Sequence, residues 1–219
     1  NVNHVFANLF KVIRIISFCI TLLLPGMYVA IVTYHEEVIP TELLFSIVAS
    51  RSNVPFMVIV EILLMEVSFE VIREAGLRVP TPLGSTVGIV GALVLGQAAV
   101  EADIVSPILI IIIAITGITS FSIPDYNLGF HLRIHRFVFI LLGFLGGFLG
   151  IVAGLFMYLL NMCSLRSFGV PYMAPYAPLI LKNNSGYFVK PAWKREFRNS
   201  ALDPKKKRVQ GKTSMKWRT

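Results

Sequence analysis

The sequence predicts an all-α, polytopic transmembrane protein with about four spans, an acidic amphipathic helix and a basic cytoplasmic tail. Hydrophobic residues make up 55% of the 219 residues and charged residues 15%, against about 45–50% and about 25% in ordinary soluble domains. Four long stretches contain no charged residue, and a helix that crosses a bilayer needs roughly 20 apolar residues. Too little polar chain remains to cover four such stretches, which argues against a soluble globular fold. Disorder is excluded by the composition, because disordered chains have few apolar residues and many charges.

The spans are predicted inside a transmembrane domain of residues 1–181. The four uncharged stretches are 15–34, 79–100, 104–124 and 137–165. Lys11 and Arg14 precede the first stretch and place the N-terminus on the cytoplasmic side. The first stretch is too long for a signal peptide, and no cleavage site of small residues follows it.

Positive charge is concentrated at the C-terminal end. The formal net charge is +8, which divides into −2 for residues 1–181 and +10 for residues 182–219. Cytoplasmic ends of membrane proteins are rich in Lys and Arg, so residues 182–219 are predicted to form a disordered cytoplasmic tail beside anionic lipid. The tail includes the string PKKKRV, which is similar to nuclear localisation signals. Behind four spans we interpret it as part of the tail, and we expect no nucleic-acid partner.

Two further features of the apolar stretches support local predictions. Pro25 and Gly26 fall in the middle of the first span and predict a kink there. The two cysteines, Cys19 and Cys163, are interpreted as small buried hydrophobes, because they are too few for a disulfide scaffold.

Small residues recur at intervals of four in the second and fourth spans, so each set lies on one helix face. Such faces allow membrane helices to approach closely, and the sequence leaves open whether they pack within or between subunits. The predicted packing positions are Gly84, Gly88, Ala92, Gly96, Gly143, Gly147, Gly150 and Gly154, with Gly146 in register with the last two.

Residues 41–76 form the predicted amphipathic segment, in which Pro55 is expected to start a helix. Its apolar residues are interrupted by Glu61, Glu66, Glu70 and Glu74, and the last three are four residues apart, so they share one helix face. Four central charges would cost about 10 kcal/mol in lipid, against about 5 kcal/mol returned by the apolar residues. Arg73 and Arg78 are predicted to pair with two of the glutamates.

Two interpretations of this segment remain open. It forms either an interfacial helix with a solvated face or a helix that faces a water-filled pore. In a symmetric oligomer, the second arrangement would produce rings of carboxylates that favour cations. The four glutamates are therefore the candidate ion-pathway residues.

The segment 125–136 is predicted to be an interfacial loop with snorkelling arginines. His131 and His135 have a spacing that could share a metal ion, but Arg133 and Arg136 beside them oppose a cation, so no metal site is predicted. The sequence contains no phosphate-binding loop, zinc-ligand cluster or nucleophile elbow. We therefore expect neither catalytic residues nor a cofactor, and we expect that the protein is not an enzyme.

Three strings resemble the A subunit of the GerA family of bacterial spore germination proteins. They are EAGLRVPTPLGSTVGIVGALVLGQAAVE at 74–101, IVSPILIIIIAITGITSFSIPDY at 104–126 and CSLRSFGVPYMAPYAP at 163–178. The resemblance implies a multi-pass subunit of the spore inner membrane that associates with B- and C-type partners and forms a cation-releasing homo-oligomer in contact with membrane lipid. A stage V sporulation AF-type branch of the family fits as well.

The resemblance also implies a large soluble region before the first membrane helix, which would make this chain a fragment or a degenerate copy. Two alternatives to a channel subunit remain. One is a non-conducting scaffold that docks partner subunits. The other is a secondary transporter, which requires repeats with broken helices at matching positions.

Overall fold

The structure is a computed structural model that describes residues 4–78, 83–167, 169–174 and 177. The described chain is almost entirely helical, which confirms the predicted all-α class. A 3₁₀ turn, Glu36–Val38, follows the first helix. The helices are α1 (His4–Tyr34), α2 (Thr41–Arg51), α3 (Val58–Arg78), α4 (Leu83–Glu101), α5 (Pro107–Phe121) and α6 (Tyr126–Ser164).

The chain divides into two compact units. The described residues of 16–154 form one unit, and those of 1–15 and 155–177 form the other. The second unit includes a short antiparallel hairpin of β1 (Arg166–Ser167) and β2 (Val170–Pro171). The candidate site and the cavity described below lie in the first unit.

The apolar core of the first unit is formed by residues from α1, α3, α4, α5 and α6. Ile62, Leu109 and Ile140 are completely buried there, and each such side chain contributes about 1.5–3 kcal/mol relative to exposure. Helix α3 packs against α4 and α5. This packing fixes one face of α3 and determines which of its glutamates are buried.

Two of the described helices are long and apolar enough to cross a membrane, namely Val5–Tyr34 and Asn127–Ser164. Both begin well before the predicted spans 15–34 and 137–165. Helix α5 has 15 residues, about 22 Å, which is shorter than the hydrocarbon core of about 30 Å.

The other two predicted spans are only partly reproduced. The apolar segment of α4 that can be assigned is Val90–Glu101, which is shorter than the predicted span. Residues 79–82 lie outside the described residues. Ser106 precedes α5 and Pro107 occupies its first turn, which starts the helix later than predicted. The total of about four spans stays a prediction.

The predicted loop 125–136 is wrong, because α6 already begins at Tyr126. The Asp125 side chain starts the helix: its Oδ1 accepts the backbone N–H groups of Asn127 at 2.9 Å and Leu128 at 3.3 Å. This N-terminal cap satisfies donors that an uncapped helix leaves free. Arg136 is completely buried within α6 rather than snorkelling at an interface.

The amphipathic segment 41–76 is not one helix but two, α2 and α3, separated by residues 52–57. Helix α2 ends where the Ser52 hydroxyl donates to the carbonyl oxygen of Ala49 at 2.8 Å. Pro55 does not start α3, which begins at Val58. A proline restricts the residue before it to extended conformations, so Val54 and Pro55 form part of the connection.

Neither cysteine is buried, contrary to the prediction, since Cys19 and Cys163 are both exposed. In a membrane protein an apolar residue can face lipid, so an apolar neighbourhood in sequence does not imply burial. Helix α1 continues through Pro25. The kink at Pro25 and Gly26 stays a prediction, whereas in α6 the backbone leaves helical geometry at Gly147.

Candidate functional site

The four glutamates predicted for an ion pathway all lie on α3, but their exposure differs along the helix. Glu61 and Glu66 are buried, with 1% and 0% of their surface exposed. Glu70 is partly buried and Glu74 is exposed. A buried carboxylate is costly unless charged partners and hydrogen bonds compensate it. The two buried glutamates therefore show where α3 meets other polar groups.

Glu61 connects three elements of the fold. Its Oε1 accepts a hydrogen bond of 3.0 Å from Nη2 of Arg51 on α2. Its Oε2 accepts the backbone N–H of Ser106 at 3.0 Å, immediately before α5. A helix N-terminus carries partial positive charge, so a carboxylate there is favourable. Both oxygens of Glu61 are therefore engaged in holding α2, α3 and α5 together.

Glu66 and Glu70 face two arginines from the first three turns of α6. Nη2 of Arg136 lies 2.8 Å from Oε2 of Glu66 and 2.7 Å from Oε1 of Glu70. Nη1 of Arg133 lies 3.3 Å from Oε2 of Glu70. Because the Arg136 and Glu66 side chains are each only 1% exposed, their attraction is screened much less than that of a surface pair. Arg136 thus bridges two carboxylates one helical turn apart.

Arg73 links this group to α5. Its Nη1 lies 3.7 Å from Oε1 of Glu70, which confirms the predicted pair, and its Nη2 donates to Oγ of Ser120 at 2.7 Å. Its guanidinium carbon lies 4.8 Å and 5.1 Å from the ring centres of Phe69 and Phe121, a favourable cation–π arrangement. We call the following residues the carboxylate–arginine cluster: Glu66, Glu70, Arg73, Arg133 and Arg136.

The cluster is incompletely hydrogen-bonded within the described residues. Neither oxygen of Glu66 makes an aligned hydrogen bond, and Nε and Nη1 of Arg136 and Nε of Arg73 lack an acceptor there. Each buried polar group left unsatisfied costs about 1–3 kcal/mol. Ion pairs therefore hold α3 against α6, although several buried polar atoms of the cluster are left without hydrogen bonds.

The side chain of Arg78, predicted to pair with Glu74, lies outside the described residues. His131 and His135, considered as a metal pair, lie within α6, where Nδ1 of His135 is 2.8 Å from the carbonyl oxygen of His131. Among the residues that the structure describes, no group of three His, Cys, Asp or Glu side chains could hold a metal ion.

Helices α1 and α6 cross at two glycines. A Cβ atom added to Gly26 would lie 2.6 Å from the carbonyl oxygen of Phe139, and one added to Gly143 would overlap the carbonyl oxygen of Gly26. Both contacts are too short for any side chain, so the crossing needs glycine on each helix. Sequence reasoning selected Gly143 but missed Gly26, whose position after Pro25 indicated only a kink.

The other small residues of α4 and α6 have different surroundings. Gly96 packs against α5, and Ala92 lines a cavity between α3, α4 and α5. A Cβ atom on Gly88 or Gly146 would have no neighbour within 4 Å among the described residues. The surroundings of Gly84 lie outside what the structure describes.

Helix α6 is interrupted at Gly147, which has φ 56° and ψ −140°, a conformation that favours glycine. In an uninterrupted helix the N–H of Phe148 would bond to the carbonyl of Phe144. Instead, the Tyr34 hydroxyl donates to that carbonyl at 2.8 Å, and the Phe148 N–H donates to Nε2 of His35 at 3.5 Å. Tyr34, the last residue of α1, and His35, which follows it, thus bond to these two backbone groups.

Beyond the interruption, the chain folds back on the preceding part of α6. A Cβ atom on Gly150 would overlap the carbonyl oxygen of Leu142, and one on Gly154 would lie 3.3 Å from the Phe139 ring. In a straight helix residues 139 and 154 would be about 22 Å apart. The predicted span 137–165 is therefore not a single straight helix.

Comparison of the sequence with known protein families shows a clear relationship. The profile of a family described as Bacillus/Clostridium GerA spore germination protein matches residues 1–201. The chain belongs to the GerA family. The resemblance found in the sequence is thereby confirmed.

The relatives of this GerA-family chain are much longer than the chain itself. Spore germination protein KA of Bacillus subtilis (strain 168) is 47% identical over 207 residues, which cover 94% of this chain and 38% of that protein. Spore germination protein GerLA of Bacillus cereus is 45% identical over 193 residues, covering 88% and 37%. Uncharacterized membrane protein YfkQ of Bacillus subtilis (strain 168) is 43% identical over 190 residues, covering 87% and 37%. The chain thus spans less than two-fifths of each.

No solved structure matches the chain. Membrane association of this GerA-family chain is indicated by its two long apolar helices and by its similarity to a protein named as a membrane protein.

Proposed function

We propose that this chain is the membrane portion of an A-type subunit of a spore germination complex and that it contributes to an oligomeric, cation-conducting channel. The proposal places it as a multi-pass protein in the spore inner membrane, with B- and C-type subunits as partners. The observation that carries the channel role is the pairing of Glu66 and Glu70 on α3 with Arg133 and Arg136 on α6.

In this proposal the structure represents a closed state. The carboxylates of Glu66 and Glu70 are neutralised by arginines, so neither presents free negative charge to an ion. A movement of α6 away from α3 separates the pairs and exposes both carboxylates on the same face of α3, because they are one turn apart. In a symmetric oligomer the exposed carboxylates form rings, which favour cations over anions.

The glutamates are tested by potassium efflux from germinating spores that produce Glu66→Gln with Glu70→Gln in the complete native protein. Glutamine keeps the shape of glutamate but removes the charge. We expect the efflux rate to fall by about tenfold or more, which corresponds to losing about 1.4 kcal/mol of stabilisation of the passing ion.

The matched control is Glu42→Gln, the same change at an exposed glutamate of α2, which should leave efflux unchanged. Immunoblotting of spore membranes checks that each variant is present at the normal level. Efflux at the wild-type rate in the double variant, with normal protein level, would reject the role of the two glutamates.

The same ion pairs favour a second function, a non-conducting scaffold that docks partner subunits. In that case the carboxylates remain paired with arginine in every state and serve only to hold α3 to α6. Single-channel recording of the purified complex in lipid bilayers separates the two functions. Cation-selective openings support the channel, whereas a silent complex that retains its partner subunits supports the scaffold.

A further inference from the structure

An apolar cavity of about 220 Å³ lies between α3, α4 and α5. Met65 and Ile113, each 4% exposed, form its floor together with Gly96, and all of the lining side chains that the structure describes are apolar. Leu93 and Ile118, which are 68% and 69% exposed, stand at its rim. The cavity is therefore closed on the side of the protein core and open on the outer faces of α4 and α5.

The cavity exists because small residues line two of its walls. Ala92 and Gly96 belong to α4, and Ala114 belongs to α5. An engineered apolar cavity of about 150 Å³ stays free of water and binds benzene. Among the described residues, this larger cavity has no polar lining side chain to hold water, so its expected occupant is hydrocarbon.

The extent of the lining indicates which kind of hydrocarbon the cavity can bind. Its lining extends over residues 65–72 of α3 and 110–121 of α5, which corresponds to about 10–16 Å along the helices. A lining of this extent can accommodate the end of one extended acyl chain.

The open side of the cavity indicates where the occupant comes from. The exposed rim continues onto apolar helix surfaces, because Val90 and Val94 of α4 and Ile111 and Ile115 of α5 are exposed as well. We propose that the cavity holds the end of one acyl chain of a membrane lipid. The proposal depends on the membrane association of this GerA-family chain and is independent of whether it conducts ions.

Occupancy of the cavity is connected to the carboxylate–arginine cluster by direct contacts. Phe69 and Phe121 line the cavity, and the same two rings flank the guanidinium of Arg73. Phe69 is also packed closely against Gly117, where an added Cβ atom would lie 2.6 Å from the ring. A bound chain end therefore supports the rings that position Arg73 beside Glu70.

The proposal is tested by photo-crosslinking of the purified native complex in bilayers. The bilayers contain a phospholipid with a diazirine at the end of one acyl chain, and labelled residues are mapped by mass spectrometry. We expect labelling of Met65 and Ile113, because both are only 4% exposed and both line the cavity. Leu149, 83% exposed, reports ordinary contact with the probe.

Two variants that fill the cavity, Ala92→Leu and Ala114→Leu, should each reduce labelling of Met65 about tenfold. Excluding two methylene groups of the chain removes a factor of about four for each. Ala49→Leu, the same change at an exposed position of α2, is the matched control and should leave labelling unchanged. Equal labelling of Met65 in all three variants would overturn the proposal.

The remaining experiments use the unsubstituted protein, so a folding defect of a variant cannot affect their results. Labelling of Met65 that is competed by excess unlabelled phospholipid supports the lipid chain. Labelling by a free diazirine-bearing alkane but not by the phospholipid overturns the lipid assignment and points to a small apolar ligand. Labelling by neither probe overturns the site, whatever the potassium efflux experiment shows.

Discussion

Replacing Arg136 with methionine is expected to lower the free energy of unfolding by about 3–5 kcal/mol, because Glu66 is then left buried without a cation. Arg136 contacts both Glu66 and Glu70 at 2.7–2.8 Å. Glu70 keeps Arg73 and Arg133, so the cost falls mainly on Glu66. Denaturant unfolding of the purified protein in detergent, followed by circular dichroism, measures the change.

A second substitution tests the cause. Combining Arg136→Met with Glu66→Leu removes both charges, and a buried ion pair replaced by apolar groups is often neutral for stability. The double variant should therefore recover most of the loss. Arg14→Met, at an exposed arginine of α1, is the control and should stay within about 0.5 kcal/mol of wild type. A double variant as unstable as the single one would show that the pair is not responsible.

Gly143→Ala and Gly146→Ala should change stability in opposite directions, although the two glycines are three residues apart in the same helix. The methyl group at 143 overlaps the carbonyl oxygen of Gly26, a backbone atom of α1, so α1 and α6 must separate. Overpacking of this kind costs about 1–3 kcal/mol or more. At 146 no described atom lies within 4 Å, and alanine should stabilise the helix by up to about 1 kcal/mol.

The measurement is the shift of the unfolding midpoint of each variant in the same detergent. Because both substitutions add one methyl group to glycine, differences in hydrophobicity and helix propensity cancel between them. Equal shifts for the two variants would mean that α1 and α6 do not approach each other at Gly26 and Gly143.

Much of the architecture followed from local patterns in the sequence. Long uncharged stretches indicated helices, and the spacing of four between Glu66, Glu70 and Glu74 placed them on one face of α3. Arg73 on the same helix was predicted as a partner of these glutamates, but their partners on α6 were not found. Arg133 and Arg136 were assigned to a loop, because local reasoning places arginine at an interface and cannot see a carboxylate on another helix.

A signal for these partners was nevertheless present. The arginines are three residues apart and the glutamates four apart, so each pair lies on one side of its helix, and the opposite charges suit two packed helices. The interruption at Gly147 had no comparable signal. It is one of several glycines in α6, and only contacts with Tyr34 and His35, distant in sequence, single it out.

The interruption has a consequence for how α1 and α6 can move. The carbonyl of Phe144 accepts a hydrogen bond from the Tyr34 hydroxyl, and the N–H of Phe148 donates one to the His35 imidazole. Straightening α6 would free the Tyr34 hydroxyl and the His35 imidazole together and would carry residue 154 about 22 Å from residue 139. The contacts at the end of α1 thus hold α6 in its folded-back form, and neither helix can be displaced there without changing the other.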